Sequence, residues 1–145
     1  MAIDEVKKFI AAKDLEAETR YIPKKVVPSL KGQFDEKIAI IGGGPAGLSC
    51  AFYLAEKGYA PTVFEKNENA GGMLVYGIPS YKLEKDVVQA EIDVIKAMGV
   101  TIKTGVEVGK DITIEELRKQ GYKAFYIAIF SSNCPLSDGT TFFGM

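Results

Sequence analysis

Residues 38–47 read IAIIGGGPAG, and this stretch decides the fold. The apolar run at 38–41 predicts a buried strand, and the Ala-rich segment after residue 47 predicts a helix. The glycines between them permit a tight turn, let a phosphate approach the backbone and let the helix pack closely on the strand. Phosphates are then expected at the positive end of the helix. The residues predicted to form this dinucleotide site are Gly42, Gly43, Gly44, Pro45, Ala46 and Gly47.

A carboxylate follows the glycines at the distance that dinucleotide sites use. Glu65 ends a second apolar run at 62–64, about 20 residues beyond the glycines. At the carboxyl end of a neighbouring parallel strand, a carboxylate accepts both ribose hydroxyls and repels a 2′-phosphate. The site is therefore expected to take FAD or NAD and to discriminate against NADP. The alternative is a solvated glutamate at a strand end.

The segment at 65–83 reads EKNENAGGMLVYGIPSYKL and favours FAD over NAD. It resembles the FAD-binding domain of the glutamate synthase small subunit family, which includes the flavoprotein part of dihydropyrimidine dehydrogenase and related ferredoxin-linked NAD(P)H oxidoreductases. The resemblance implies that Glu65 holds the adenosine ribose and that Gly71 and Gly72 run beside the phosphates and ribityl chain. It also implies that Lys82 meets the pyrophosphate, although a solvated surface lysine is the alternative.

Three further residues complete the predicted cofactor-binding set. Lys66 and Met73 lie within the resembling segment. By the resemblance, Val108 offers its backbone to the adenine ring, whereas the sequence pattern alone indicates a half-buried strand valine.

The resemblance covers about residues 2–129 and fails beyond residue 129. We expect an N-terminal helix and linker arm at 1–35, the N-terminal portion of an FAD-binding Rossmann-like domain at 36–129, and a divergent tail at 130–145. In the family, a second nucleotide-binding domain receives NAD(P)H and a C-terminal return segment completes the flavin site. Neither is expected here, so this chain alone is expected to be inactive.

Periodicity and turn residues predict an α/β fold, namely a truncated Rossmann-like domain with a parallel sheet, helices and a small crossover sheet. Helices are expected at about 45–58 and 84–98, with a loop between 66 and 83, and a capping box at Thr113 and Glu116 begins a shorter helix. Strands are expected at about 38–42, 62–65 and 100–102, with 106–108 pairing nearby. The run at 124–129 predicts a buried parallel strand beside the first.

An amphipathic helix at the N-terminus, with Ile3, Val6, Phe9 and Ile10 on one face, is expected to dock on a neighbouring surface.

Composition excludes several classes of partner. With 18 basic and 19 acidic residues, the chain lacks the positive charge that nucleic acid or an anionic membrane attracts. No apolar run approaches the roughly 20 residues that cross a bilayer, and an acidic N-terminus argues against a secretory signal, so a cytoplasmic protein is expected.

Cys50 and Cys134 are far apart and the chain has no histidine, so no metal site is expected. Cys50 is expected to be a small buried thiol. The pair Lys24 and Lys25 indicates solvated surface charge, with attraction of an acidic partner as the alternative.

No side chain is predicted to be catalytic, because a flavin would supply the chemistry. The resemblance implies an NAD(P)H-dependent oxidoreductase in which electrons pass from NAD(P)H through FAD towards iron–sulfur centres or ferredoxin. Two alternatives remain open: an NAD-binding dehydrogenase domain and a nonenzymatic interaction module. A homodimer formed through an exposed apolar edge is a further hypothesis.

Overall fold

The computed structural model describes residues 2–23 and 34–129, which form an α/β fold around one parallel sheet. The strands are β1 (Lys37–Ile41), β2 (Thr62–Phe64), β3 (Thr101–Lys103) and β4 (Tyr122–Ile127), in the order β3-β2-β1-β4. The helices are α1 (Ile3–Leu15), α2 (Pro45–Glu56), α3 (Met73–Tyr76), α4 (Lys85–Ala97) and α5 (Ile114–Lys119). All strand pairs are parallel, so the strands end at a common edge of the sheet. The predicted parallel sheet with helices is confirmed.

Helices cover both faces of the sheet, because successive side chains of a strand point to opposite faces. On one face, Ile40 and Val63 share a register position and pack in one cluster with Ala51 of α2. On the other face, Leu117 of α5 packs in a cluster with Phe64. Ile40, Val63, Ala51 and Leu117 are all 0% exposed. The two clusters fix the ends of β1 and β2, from which the site is built.

The predicted capping box begins α5. The Glu116 N–H donates to Thr113 Oγ1 at 3.2 Å, and the Thr113 N–H donates to Glu116 Oε2 at 2.8 Å. The backbone hydrogen bond from Thr113, followed by the one from its hydroxyl, lowers the pKa of the Glu116 carboxyl. Because α5 carries the buried Leu117, this cap supports the core.

Replacing Thr113 with alanine is expected to lower the free energy of unfolding by about 1 kcal/mol, since the N-cap acceptor is lost. Thr113→Ser keeps the hydroxyl and should retain most of that stability. The pKa of Glu116 is lowered in the folded chain, so its contribution is present above the ordinary carboxyl pKa and is lost as pH falls through the lowered value. Urea unfolding across this pH range measures both effects. Equal stability of the alanine and serine variants at neutral pH would contradict the role of the cap.

The N-terminal helix is present as predicted, but its apolar residues are exposed. The exposed fraction runs from 52% to 62% over Ile3, Val6, Phe9 and Ile10. After the helix, Arg20 donates to Asp14 and to Glu91 of α4, at 2.8 and 2.9 Å from Nη2. This pair of contacts links the segment after α1 to the domain. Docking of the apolar face on a further surface stays a prediction, and Lys24, Lys25 and Cys134 lie outside the described residues.

The last strand lies beside β1 as predicted, but it is not buried. Tyr126 is 43% exposed and Ile127 is 62% exposed. β4 pairs with β1 only, and forms an edge of the sheet within the described residues. The prediction of a buried strand was wrong because an apolar run does not reveal whether another element covers it.

Two segments differ from the elements predicted for them. The loop predicted between 66 and 83 contains the one-turn helix α3, which the positive φ angles of Gly71 (+116°) and Gly72 (+53°) introduce. In place of the predicted small crossover sheet, the structure has a single parallel bridge between Val108 and Ile112. Positive φ at Gly105 turns the chain before this bridge. The segment after β3 therefore folds as a turn that packs against the sheet.

Candidate dinucleotide-binding site

Two glycines after β1 occupy positions that leave no room for a side chain. Gly42 has a φ of +106°, and a Cβ on it would lie 2.6 Å from the carbonyl oxygen of Ala128. A Cβ on Gly47 would lie 1.9 Å from the carbonyl oxygen of Gly42. Both positions require glycine, and Gly47 allows α2 to begin directly against the end of β1.

Gly44 has a different role, because the space beside it is open. It is the N-cap of α2, and its φ of −75° and ψ of −177° are extended backbone that any residue adopts. Nothing lies within 4 Å of a Cβ placed on it. No side chain caps α2, and Pro45 occupies its start. The first-turn N–H groups and the positive end of the helix are therefore left for an external acceptor, an arrangement that suits phosphate.

Glu65 connects β2 to the glycine turn. Its residue surface is 5% exposed, and its Oε2 accepts the Gly43 N–H at 2.7 Å while Oε1 accepts the Asn67 N–H at 2.9 Å. Each carboxylate oxygen has two lone-pair sites, so each can accept one further hydrogen bond from a hydroxyl. The predicted ribose acceptor thus also holds the glycine turn in place. A solvated strand-end glutamate does not describe this side chain.

The second pair of glycines lies directly against the first turn. The Gly71 N–H donates to the Gly43 carbonyl oxygen at 2.7 Å. A Cβ on Gly72 would lie 3.0 Å from the Gly44 Cα. Since the two turns are in backbone contact, the residues predicted from separate parts of the sequence form one site.

A cleft of about 720 Å³ opens at this edge of the sheet, within the size range of nucleotide-binding pockets. The predicted residues that line it are Gly42, Gly44, Pro45, Ala46, Glu65, Lys66, Gly72, Met73 and Val108. The predicted residues outside its lining are Gly43, Gly47, Gly71 and Lys82. The three glycines among these support the wall from behind, through the contacts given above.

Lys82 is the predicted site residue that the structure does not bring to the cleft. It is exposed, and its backbone N–H donates to the Pro79 carbonyl oxygen at 3.0 Å. Contact between its ammonium group and a pyrophosphate stays a prediction.

Sequence reasoning missed several residues that complete the cleft. Tyr76 of α3 lines it, and the Tyr76 hydroxyl oxygen accepts the Asn69 N–H at 3.0 Å. Asn67 and Glu107 also contribute to the lining. Tyr76 stands four positions after Gly72, so a helical turn there would have placed it on the wall. No sequence pattern indicated that turn, because Gly71, Gly72 and Gly77 surround it.

The described residues offer few groups for metal binding or thiol chemistry. Within residues 2–23 and 34–129, no group of three His, Cys, Asp or Glu side chains is arranged to hold a metal ion. Cys50 of α2 is half-buried against the core, and burial raises the pKa of its thiol. No helix in those same ranges is long and apolar enough to span a membrane.

Comparison with known proteins agrees with this geometry. Residues 40–89 match the family described as NAD(P)-binding Rossmann-like domain. The chain is 53% identical to the NADP(+)-dependent formate dehydrogenase subunit beta of Moorella thermoacetica, over 64% of this chain and 13% of that protein. It is 44% identical to the NADPH glutamate synthase small chain of Bacillus subtilis, over 68% of this chain and 19% of that protein. The NADPH-Fe(3+) oxidoreductase subunit beta of Geobacter sulfurreducens is 46% identical, over 68% of this chain and 15% of that protein. The chain thus spans less than a fifth of the length of these relatives.

Solved structures show the same fold at lower identity. FprA of Mycobacterium tuberculosis in complex with NADPH superposes with a TM-score of 0.55 at 21% identity, over 71% of this chain and 25% of that one. Histamine dehydrogenase from Rhizobium sp. 4-9 gives a TM-score of 0.52 at 24% identity, over 64% of this chain and 14% of that one. The chain is thus similar over part of its length to the NADPH glutamate synthase small chain and to the NADPH-Fe(3+) oxidoreductase subunit beta, and its residues 40–89 match the NAD(P)-binding Rossmann-like domain family.

Proposed function

We propose that this chain is the FAD-binding portion of an NAD(P)H-dependent oxidoreductase. The observation that carries the proposal is the buried Glu65 carboxylate, which is hydrogen-bonded to the glycine turn, lines the cleft and has lone pairs left to accept further hydrogen bonds. An adenosine ribose would take up those lone pairs. When bound, a flavin supplies hydride and electron transfer, and the protein contributes position, burial and electrostatics.

The residues present fit the adenylate half of such a cofactor. The space beside Gly44 is open, and no side chain satisfies the N–H groups at the start of α2. Gly72 is so close to Gly44 that a side chain there would displace the backbone. A pyrophosphate at this position would receive backbone donors and the positive helix end, while the absence of side chains permits its approach.

The choice of FAD over NAD rests on the resemblance of residues 65–83 to flavoproteins and on the second glycine turn. The family matched at 40–89 is described as NAD(P)-binding, which favours direct NAD binding as the second candidate. The Glu65 carboxylate would repel a 2′-phosphate, so NADPH is not expected in this cleft. We expect NAD(P)H to reach the flavin through a domain outside this sequence.

Titration separates these candidates. FAD should be taken up by the folded chain, with quenching of flavin fluorescence, while NAD⁺ and NADPH should bind more weakly. Uptake of NAD⁺ with no preference for FAD would favour the dehydrogenase domain. A folded chain that binds none of the three nucleotides would favour the interaction module and would refute the proposal.

Replacing Gly44 with serine is expected to lower FAD affinity by at least about tenfold without unfolding the chain. The backbone there suits an N-cap serine, whose hydroxyl would accept a first-turn N–H and add a few tenths of a kcal/mol of stability. The same hydroxyl would fill the open space and take the donor that a phosphate needs. Fluorescence titration and thermal unfolding measure the two effects. Ser49→Ala, an exposed change on the same helix, is the control, and wild-type FAD affinity in Gly44→Ser would contradict this placement of the pyrophosphate.

Iron–sulfur centres or ferredoxin are proposed as electron acceptors, on the basis of the resemblance of residues 65–83 to ferredoxin-linked NAD(P)H oxidoreductases. The homodimer, the cytoplasmic location and the division at residues 35 and 129 stay predictions. Analytical ultracentrifugation tests the first of these directly.

A further inference from the structure

Lys85 makes contacts that neither the motif nor the resemblance explains. It is the first residue of α4 and is half-buried. Its ammonium group donates to the carbonyl oxygen of Leu74 at 2.8 Å and to the carbonyl oxygen of Ile78. Both acceptors belong to α3 and the residues just after it. One lysine therefore joins the start of α4 to the end of α3.

The position of Lys85 on its own helix does not account for this arrangement. A cation near the amino-terminal end of a helix is disfavoured by the helix dipole, and a long side chain loses rotamer freedom when it is held. At the carboxyl-terminal end of a helix, in contrast, a cation is favoured and carbonyl oxygens lack partners. Lys85 is thus unfavourably placed for α4 and favourably placed for α3.

The hydrogen bonds of α3 show why an external donor is needed. In a continuing α-helix, the Ile78 N–H would donate to the Leu74 carbonyl oxygen. Here the Ile78 N–H donates to the Met73 carbonyl oxygen at 2.9 Å, as does the Gly77 N–H, also at 2.9 Å. Lys85 supplies a donor to Leu74 in place of that backbone bond. A single helical turn is unstable by itself, so such a contact has a large share in holding it.

The turn that Lys85 holds forms one wall of the cleft. Met73 and Tyr76 of α3 line the cleft, and Gly72 immediately before them lies against Gly44. A shift of α3 would therefore move the wall relative to the glycine turn.

We propose that Lys85 is a positioning residue, which fixes α3 so that the cleft is formed before a nucleotide arrives. The identity of that nucleotide rests on the function proposed above, whereas the clamp itself does not. A preformed wall avoids the entropy loss of ordering α3 on binding, so the clamp raises affinity without touching the ligand.

Lys85→Met tests the proposal, because it keeps the length and apolar stem of the side chain and removes the ammonium group. In the nucleotide-free chain, NMR hydrogen exchange at the amides of Gly77 and Ile78 should accelerate about tenfold or more, while amides of β1 and α2 keep their protection. FAD affinity should fall by about tenfold in the same variant. Lys96→Met removes an exposed lysine from the last turn of the same helix, bonded to Asp93, and should leave both measurements unchanged.

Lys85→Arg is the second variant, since it retains a cation and several donors. It should recover most of the protection at Gly77 and Ile78. Wild-type exchange at these amides in Lys85→Met would overturn the proposal. Loss of protection spread equally over β1, α2 and α3, or failure of Lys85→Met and Lys85→Arg alike to fold, would also overturn it, because Lys85 would then support the whole domain. If the wild-type chain binds no FAD, the function proposed above fails, and the exchange measurement still decides whether Lys85 clamps α3.

Discussion

Replacing Gly47 with alanine is expected to lower the free energy of unfolding by about 3 kcal/mol or more and to abolish nucleotide binding. In an exposed helix this change would add about 1 kcal/mol of stability, because alanine has the higher helix propensity. At Gly47, however, the new Cβ would lie 1.9 Å from the Gly42 carbonyl oxygen and 3.3 Å from Ile40 Cγ2. The first of these is a backbone atom in a tight turn and cannot move like the end of a side chain. Because this atom cannot yield, the overpacking cost should exceed the usual value of about 1–3 kcal/mol and reach about 4 kcal/mol or more, which outweighs the gain in propensity.

Such a loss is large relative to the 5–15 kcal/mol that stabilises a typical domain, so the variant should unfold at a clearly lower urea concentration than the wild type. Urea unfolding followed by circular dichroism measures it. Gly44→Ala, three residues earlier, is the matched control: it adds the same methyl group in extended backbone with open space around it, and should lose no more than about 1 kcal/mol as a poorer N-cap. If Gly47→Ala were as stable as Gly44→Ala, the start of α2 would have to yield at the end of β1, which would contradict the close contact between Gly47 and the Gly42 carbonyl oxygen.

The comparison of these two glycines shows what the sequence could predict. The turn, the strand before it and the helix after it are local features, and their periodicity and spacing predicted β1, β2, α2 and α4 within one or two residues. Spacing alone also placed Glu65 at the end of β2. The motif predicted separate roles for its glycines, phosphate approach for one and helix packing for another, and Gly44 with open space and Gly47 against the Gly42 carbonyl oxygen fit these roles. The severity of the contact at Gly47 could not be predicted, because it depends on where the fold places that oxygen.

Contacts between distant residues account for the features that were missed. Lys85 appears in the sequence as an ordinary helical lysine, and its acceptors Leu74 and Ile78 are backbone carbonyls that no pattern distinguishes. The exposure of Tyr126 and Ile127 likewise depends on which elements cover β4. Glu65 was expected to meet a ligand, yet its hydrogen bond to the Gly43 N–H gives it a structural role as well.

Glu65→Gln is expected to lower both FAD affinity, by about 100-fold, and the free energy of unfolding, by about 1–3 kcal/mol. The carboxylate accepts one backbone N–H on each oxygen. Glutamine has one oxygen and one NH₂ group, so in either amide orientation a donor faces the N–H of Gly43 or of Asn67. One buried hydrogen bond is lost and the glycine turn loosens. The charge that strengthens hydrogen bonds from ribose hydroxyls is removed at the same time.

Glu107→Gln is the control for the charge of the cleft. Glu107 also lines the cleft, but its side chain is 48% exposed and lies 3.7 Å from the Lys110 ammonium group. Its removal should change FAD affinity by less than about threefold, since exposed ion pairs contribute little. Equal losses in the two glutamine variants would mean that net charge, rather than the buried hydrogen bonds of Glu65, governs binding.

The preference between nucleotides separates the two roles of Glu65. If the carboxylate repels a 2′-phosphate, Glu65→Gln should weaken binding of FAD more than binding of NADPH, and the ratio of the two affinities should shift towards NADPH. If the residue acts only by holding the glycine turn, both nucleotides should lose affinity by the same factor. Parallel calorimetric titrations of the wild type and Glu65→Gln with FAD and NADPH measure that ratio. An unchanged ratio would assign Glu65 to the support of Gly43 alone, and the exclusion of the 2′-phosphate would then need another source in the cleft.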